Sequence, residues 1–208
     1  MSMKQILQTK QTVLVLVVVG VFSIGYYAFA FSHNTSVTVP KKRTSTPVTS
    51  HTSITPANDP LAATFAYLST HGNSSCSSSF QDSIATMPPG TRLQGSCCSP
   101  MNLAAYKEQL EGLKKYSAIA EIPPDPYNID VALANNLMGH YNDTLTPDQQ
   151  KAYNYAMQNS KEKGPCCCQC WRWHVYGGLA KYLIQAYHFT GQQLTEVWNL
   201  SDGCGGKS

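Results

Sequence analysis

The chemistry of this chain is carried by sulfur. Of its eight cysteines, Cys97 and Cys98 are adjacent, Cys166, Cys167, Cys168 and Cys170 form one run, and Cys204 lies near the C-terminus; Cys76, in the polar stretch His71 to Ser79, is the outlier. Overlapping Cys-x-Cys and Cys-x-x-Cys spacings crowd many soft donors into a short segment, and such thiolates select Cu(I), Zn(II) and similar ions. Cu(I), which two or three sulfurs suffice to hold, is the first expectation and Zn(II) the second. Cys97, Cys98, Cys166, Cys167, Cys168, Cys170 and Cys204 are the candidate metal ligands. His174, four residues after Cys170 and so on the same helical face, is a candidate imidazole ligand, although a histidine so placed more often packs between Trp171 and Gly178. Met101, one turn from Cys98, is a weaker thioether candidate, since a Met there is usually core.

Spacing excludes several named sites. Trp171 follows Cys167-x-x-Cys170 where c-type haem attachment requires His. Zinc fingers need two separated ligand pairs, and Cys97-Cys98 is an adjacent one. Thioredoxin-like chemistry places its Cys-x-x-Cys in a βαβ context that this sequence lacks. No paired carboxylates, phosphate loop, Ser-His-Asp set or nucleophile elbow is present, so catalysis is not expected. Two other uses of the sulfurs stay open. An even number of cysteines suits a disulfide framework linking Cys97-Cys98 to the Cys166–Cys170 run, but three consecutive cysteines are hard to pair outward within disulfide geometry. Thiol oxidoreductase chemistry is the other, resting on thiol pKa values lowered at helix starts.

The elements that must position these sulfurs read as helices. Ser99-Pro100 supplies an N-cap and a first-turn proline, and Leu103, Tyr106, Leu110 and Leu113 continue at helical spacing to about Ser117. A Pro-rich turn, Ile122 to Pro126, ends that helix, and Ile129, Leu133 and Leu137 mark one face of a short one. Thr146-Pro147 opens another through Tyr153 and Met157, ending before Gly164-Pro165. The longest stripe is Trp171, Val175, Leu179 and Leu183, and Thr190 caps a final helix carrying Leu194, Val197 and Trp198. Trp171, Trp173 and Trp198 read as core or rim aromatics. Gly177-Gly178 should weaken the long helix unless a neighbouring backbone packs closely there. Both large cysteine clusters then fall at helix starts. The fold class expected is an all-α small helical bundle, residues 61–208, preceded by an N-terminal transmembrane or signal helix and a disordered stalk.

The charge is consistent with export. Only 13% of the chain is charged, and the formal +3 sits at the N-terminus: Lys4, Lys10, Lys41, Lys42 and Arg43 carry it, while 10 basic and 11 acidic residues from Pro60 onward leave a near-neutral body. Nucleic acid is therefore not an expected partner. Residues 12–31 are uncharged and long enough to span a bilayer of about 30 Å. They read as an anchor, residues 1–31, or as a signal peptide cleaved after Ala30. With the N-terminus inside, either leaves the body outside the cytoplasm; the reverse topology, left open by the Lys41-Lys42-Arg43 cluster that nearly balances the flanking charge, would put the cysteines in a reducing cytosol, where metal binding is favoured. Sixteen of the 29 residues from Ser32 to Pro60 are Ser, Thr or Pro, a solvated stalk. Sequons begin at Asn34, Asn73, Asn142 and Asn199.

Pro165-Cys166-Cys167-Cys168-Gln169-Cys170 resembles the motif of a bacterial family of exported proteins named for Pro-Cys-Tyr-Cys-Gly-Cys. Pro165, Cys166, Cys168 and Cys170 match in register, Cys167 replaces Tyr and Gln169 replaces Gly; Ala186-Tyr187 and Gly191 continue the similarity over about 40 residues. The resemblance implies export and a shared thiol site, without an assigned activity. Members are often lipoproteins, and this chain departs from them in having no cysteine directly following its apolar span, the first being Cys76. The reading that results is a membrane-tethered extracytoplasmic protein holding a soft metal ion, copper first, for trafficking, sequestration or resistance, with a disulfide-stapled interaction module as the alternative.

Overall fold

A computed structural model describes residues 59–205, all within the second of the two units into which the chain divides, Thr52–Ser208. The apolar span at 12–31 and the stalk to residue 58 lie outside the described residues. Among the described residues no helix is long and apolar enough to cross a membrane.

The described residues form seven α-helices and one two-stranded pairing: α1 (Pro60–Thr70), α2 (Ser78–Ile84), β1 (Arg92–Gln94), α3 (Leu103–Leu113), β2 (Asn128–Asp130), α4 (Val131–Gly139), α5 (Pro147–Asn159), α6 (Trp171–Tyr187) and α7 (Gly191–Leu200). Short 3-10 turns extend α3 and α4. The expectation of a helical bundle holds.

Helix α6 is the axis. Trp171, Val175, Tyr176, Leu179, Ala180, Leu183 and Ile184 are all buried on it, so it is covered on several sides, by α2, α4, α5 and α7. Gly177 and Gly178 show why. A Cβ on Gly178 would overlap the Leu137 carbonyl and lie 3.0 Å from Tyr141 N, so the backbone of α4 rests on bare backbone of α6. His188 ends α6 in the left-handed region, at φ 55°, with its N–H donating to Leu183 O. Thr146 and Thr190 form capping boxes with Gln149 and Gln193, at the two starts their sequences mark. Trp198 is buried with its indole N–H donating to Tyr176 O, and Trp173 donates to the Tyr141 hydroxyl.

Asp59 caps α1, with Pro60 at its first turn, so helix begins where the stalk was expected to end. Three local readings are corrected. The polar stretch His71 to Ser79 is a loop only to Ser77, which caps α2. Ser99-Pro100 does not start α3; Asn102 does, accepting from Ala105 N. Ile129 is not helical but sits in β2, opposite Leu93 of β1, both fully buried.

Candidate metal centre

All eight sulfurs gather in one patch of overlapping sets, including Cys76. Asn73 brings it there. The Asn73 side chain accepts from Gln94 N at 2.7 Å and donates to Arg92 O at 2.9 Å, while the N–H groups of Asn73 and Ser74 both donate to Gln94 O. That clamp lays the chain along the free edge of β1 and delivers Cys76 against Cys97 and Cys98. Gly72 and Gly95 make the approach feasible: a Cβ on Gly95, at φ +76°, would lie 2.7 Å from the Gly72 Cα.

The cysteine run is set by the turn before it. Ser160 Oγ accepts from Gly164 N at 2.8 Å and donates to Gly164 O at 3.1 Å, Lys163 takes a left-handed φ of 54°, and a Cβ on Gly164 would overlap the Trp173 ring. Cys170 then occupies the N-cap of α6 with no side-chain cap bond, its carbonyl accepting from Trp173 N. Cys204 returns to the cluster because Ser99 holds it: Ser99 N and Oγ both donate to Cys204 O.

Cys166 and Cys204 are paired as a disulfide, and the other six cysteines are free thiols. Cys76 Sγ lies 2.8 Å from Cys98 Sγ and 3.4 Å from Cys168 Sγ; Cys98 Sγ lies 3.5 Å from both Cys167 and Cys168 and 3.6 Å from Cys97. Four sets of three sulfurs lie mutually within 4.8 Å: Cys76/Cys98/Cys168, Cys76/Cys97/Cys170, Cys97/Cys98/Cys204 and Cys166/Cys167/Cys168. Groups so arranged can hold a metal ion or form disulfides.

Their protonation differs from the expectation of uniformly acidic thiols at helix starts. Cys170 is acidic, brought down to about 5 by the Cys97 thiol, which donates to it, and by the N–H groups of Arg172 and Trp173 at the start of α6. Cys97 is raised, chiefly as the donor of that hydrogen bond and then by burial. Burial pushes Cys98 up to about 12 and raises Cys168 as well. Cys97 and Cys98 gain nothing from a helix start because α3 begins at Leu103, beyond the reach of its terminal field.

Behind the sulfurs lies a cation that sequence reading overlooked. Arg172 is fully buried; its guanidinium donates to the carbonyls of Pro126 and Gly95, stacks 4.4 Å over the Trp171 ring, and makes no ion pair among the described residues. Its charge favours the thiolate of Cys97 and the carboxylates of Asp125 and Asp202, although burial still raises both carboxyl groups. A buried cation without a carboxylate against it suits a neighbour that becomes anionic, as a metal–thiolate group does.

The remaining candidates sit apart. His174 turns its Nδ1 to the Cys170 carbonyl at 3.1 Å, packs on Tyr141, and belongs to none of the three-sulfur sets. The reason is geometric: at four residues along the helix its ring folds back onto the carbonyl below rather than out to the thiols. Met101 packs in the smaller core of Leu68, Tyr106 and Tyr127. Comparison of the chain with family models, with curated proteins and with solved structures finds no match.

Proposed function

We propose that this is a membrane-tethered, extracytoplasmic thiolate protein that holds Cu(I) for trafficking, sequestration or resistance, without catalysis. The carrying observation is that the sulfurs converge in threes: none of the sets within the described residues reaches four. Metal–sulfur bonds of about 2.3 Å place donors about 4 Å apart in either trigonal or tetrahedral geometry, so spacing alone does not choose the ion. Donor number does. A structural Zn(II) site is completed by four ligands, whereas a three-sulfur set satisfies Cu(I). The uncharged span at 12–31, the Ser/Thr/Pro stalk and the resemblance around Pro165–Cys170 support export on a tether.

A second reading, a disulfide-stapled surface module, is favoured by the Cys166–Cys204 pair and by the 2.8 Å approach of Cys76 to Cys98. Elemental analysis with thiol counting on protein purified anaerobically separates the two. Bound copper with six titratable thiols supports the metal site; no metal and eight oxidised cysteines overturns it in favour of the staple.

A further inference from the structure

Resting on the metal-site reading, we infer that the site is polynuclear, one Cu(I) per three-sulfur set, and that the Cys166–Cys204 disulfide sets its capacity at two ions when formed and four when reduced. The four sets are not separate. Cys76 belongs to the sets containing Cys168 and Cys170, Cys98 to those containing Cys168 and Cys204, Cys97 to those containing Cys170 and Cys204, and Cys168 to the sets of Cys76 and Cys166. Each of these four sulfurs thus stands where it can bridge two ions, and Cys166, Cys167, Cys170 and Cys204 are terminal. Three of the sets are linked pairwise through Cys76, Cys97 and Cys98, a closed ring of alternating ions and sulfurs, and the fourth hangs from Cys168.

Bridging lowers the charge that must be buried. Four independent three-thiolate ions would need twelve sulfurs and carry a net −8, whereas eight shared thiolates holding four Cu(I) carry −4. The Arg172 guanidinium opposes that charge from behind the cluster. An unshared site would leave five cysteines of this patch without a part in binding.

The disulfide removes one terminal sulfur from each of two sets. With Cys166 and Cys204 bonded, Cys97/Cys98 and Cys167/Cys168 keep two free sulfurs apiece, and only Cys76/Cys98/Cys168 and Cys76/Cys97/Cys170 stay complete. A small dithiol reverses this by exchange. Its thiolate attacks the Cys166–Cys204 bond, its second thiol closes its own ring disulfide, and the electron pair and two protons pass to Cys166 and Cys204 as two thiols. Each ion then binds with loss of the thiol protons to buffer and no change of oxidation state.

The test counts ions on the full-length protein. Native mass spectrometry is run after anaerobic titration with the copper(I) acetonitrile complex, with and without prior treatment by a dithiol that is removed by gel filtration. Two ions before reduction and four after it support the inference. Cys204→Ser keeps the sets of Cys170, Cys166 and Cys76/Cys98/Cys168, and Cys166→Ser keeps the other combination of three, so each variant binds three ions whether or not it is reduced. A native circular dichroism spectrum shows that these variants fold. The same number of ions before and after reduction, or a single ion throughout, overturns the polynuclear, disulfide-gated site while leaving metal binding intact. No copper in either state overturns the metal site itself.

Discussion

Replacing Gly178 by alanine sets two effects of opposite sign against each other. Alanine in a helix interior is favoured over glycine by about 1 kcal/mol. Against this, the new methyl would overlap the Leu137 carbonyl oxygen and lie 2.9 Å from its carbon and 3.0 Å from Tyr141 N. The obstacle is backbone, which cannot rotate away as a side chain can. Carbon atoms in contact sit at about 3.5 Å, so α4 and α6 must part by more than half an ångström along their packed length. Overpacking of this kind costs about 1–3 kcal/mol, and a rigid backbone on both sides puts Gly178→Ala at or beyond the top of that range. The net is a loss of about 2 kcal/mol, a fall in Tm of about 4–8 °C for a chain of this size. Gly139→Ala is the control: Gly139 has a helical φ of −57° and nothing within 4 Å of its Cβ position. It should raise stability by about 0.5–1 kcal/mol. Thermal unfolding followed by far-ultraviolet circular dichroism, under one fixed redox condition, reads both. A Gly178→Ala protein as stable as the parent, or stabilised alongside Gly139→Ala, refutes the close backbone packing and with it the account of why α6 tolerates two glycines.

Further outcomes follow from the site. Arg172→Leu leaves the Gly95 and Pro126 carbonyls without their donor and should destabilise by about 3 kcal/mol, and Arg172→Lys should recover little, because an ammonium lacks the fork that reaches both; urea unfolding with an unchanged slope checks this. Cu(I) affinity should climb with pH across the neutral range. Cys97, Cys98 and Cys168 are raised and enter as thiols that must lose protons, whereas Cys170, lowered to about 5, is already a thiolate. Chelator competition at pH 6 and pH 8 should show affinity at least tenfold higher at pH 8, and a flat profile would contradict the assigned protonation. Asn73→Ala should release Cys76 from β1 and remove the sulfur shared by two sets, lowering the ions bound by the oxidised protein; an unchanged count would show that the clamp does not position Cys76.

Much of the bundle was legible because its signals are local. Thr146 and Thr190 mark their helices through a cap and a Gln three residues on, and the Trp171-to-Leu183 stripe states the buried face of α6 directly. Ser99-Pro100 carried the same local signal and misled, because Ser99 spends its N–H and hydroxyl on Cys204, 105 residues away. Cys76 looked isolated for a like reason: its delivery depends on Asn73 imitating a strand against Arg92 and Gln94, a pairing across about 20 residues that no periodicity records. Ile129 fitted a helical spacing with Leu133 and Leu137 yet pairs with Leu93, since a three-residue strand is too short to show alternation. Arg172 followed Trp171 unnoticed. A charged residue at a helix start ordinarily faces solvent, and only the surrounding carbonyls of Gly95 and Pro126 make its burial tolerable.

The most direct measurement of the central claim is X-ray absorption at the copper edge of the reduced, Cu(I)-loaded protein. Coordination by sulfur alone, close to three per copper, with a copper–copper scattering contribution is the result expected of overlapping three-cysteine sets. A shell containing nitrogen or oxygen, or four sulfurs about an isolated ion, would contradict it.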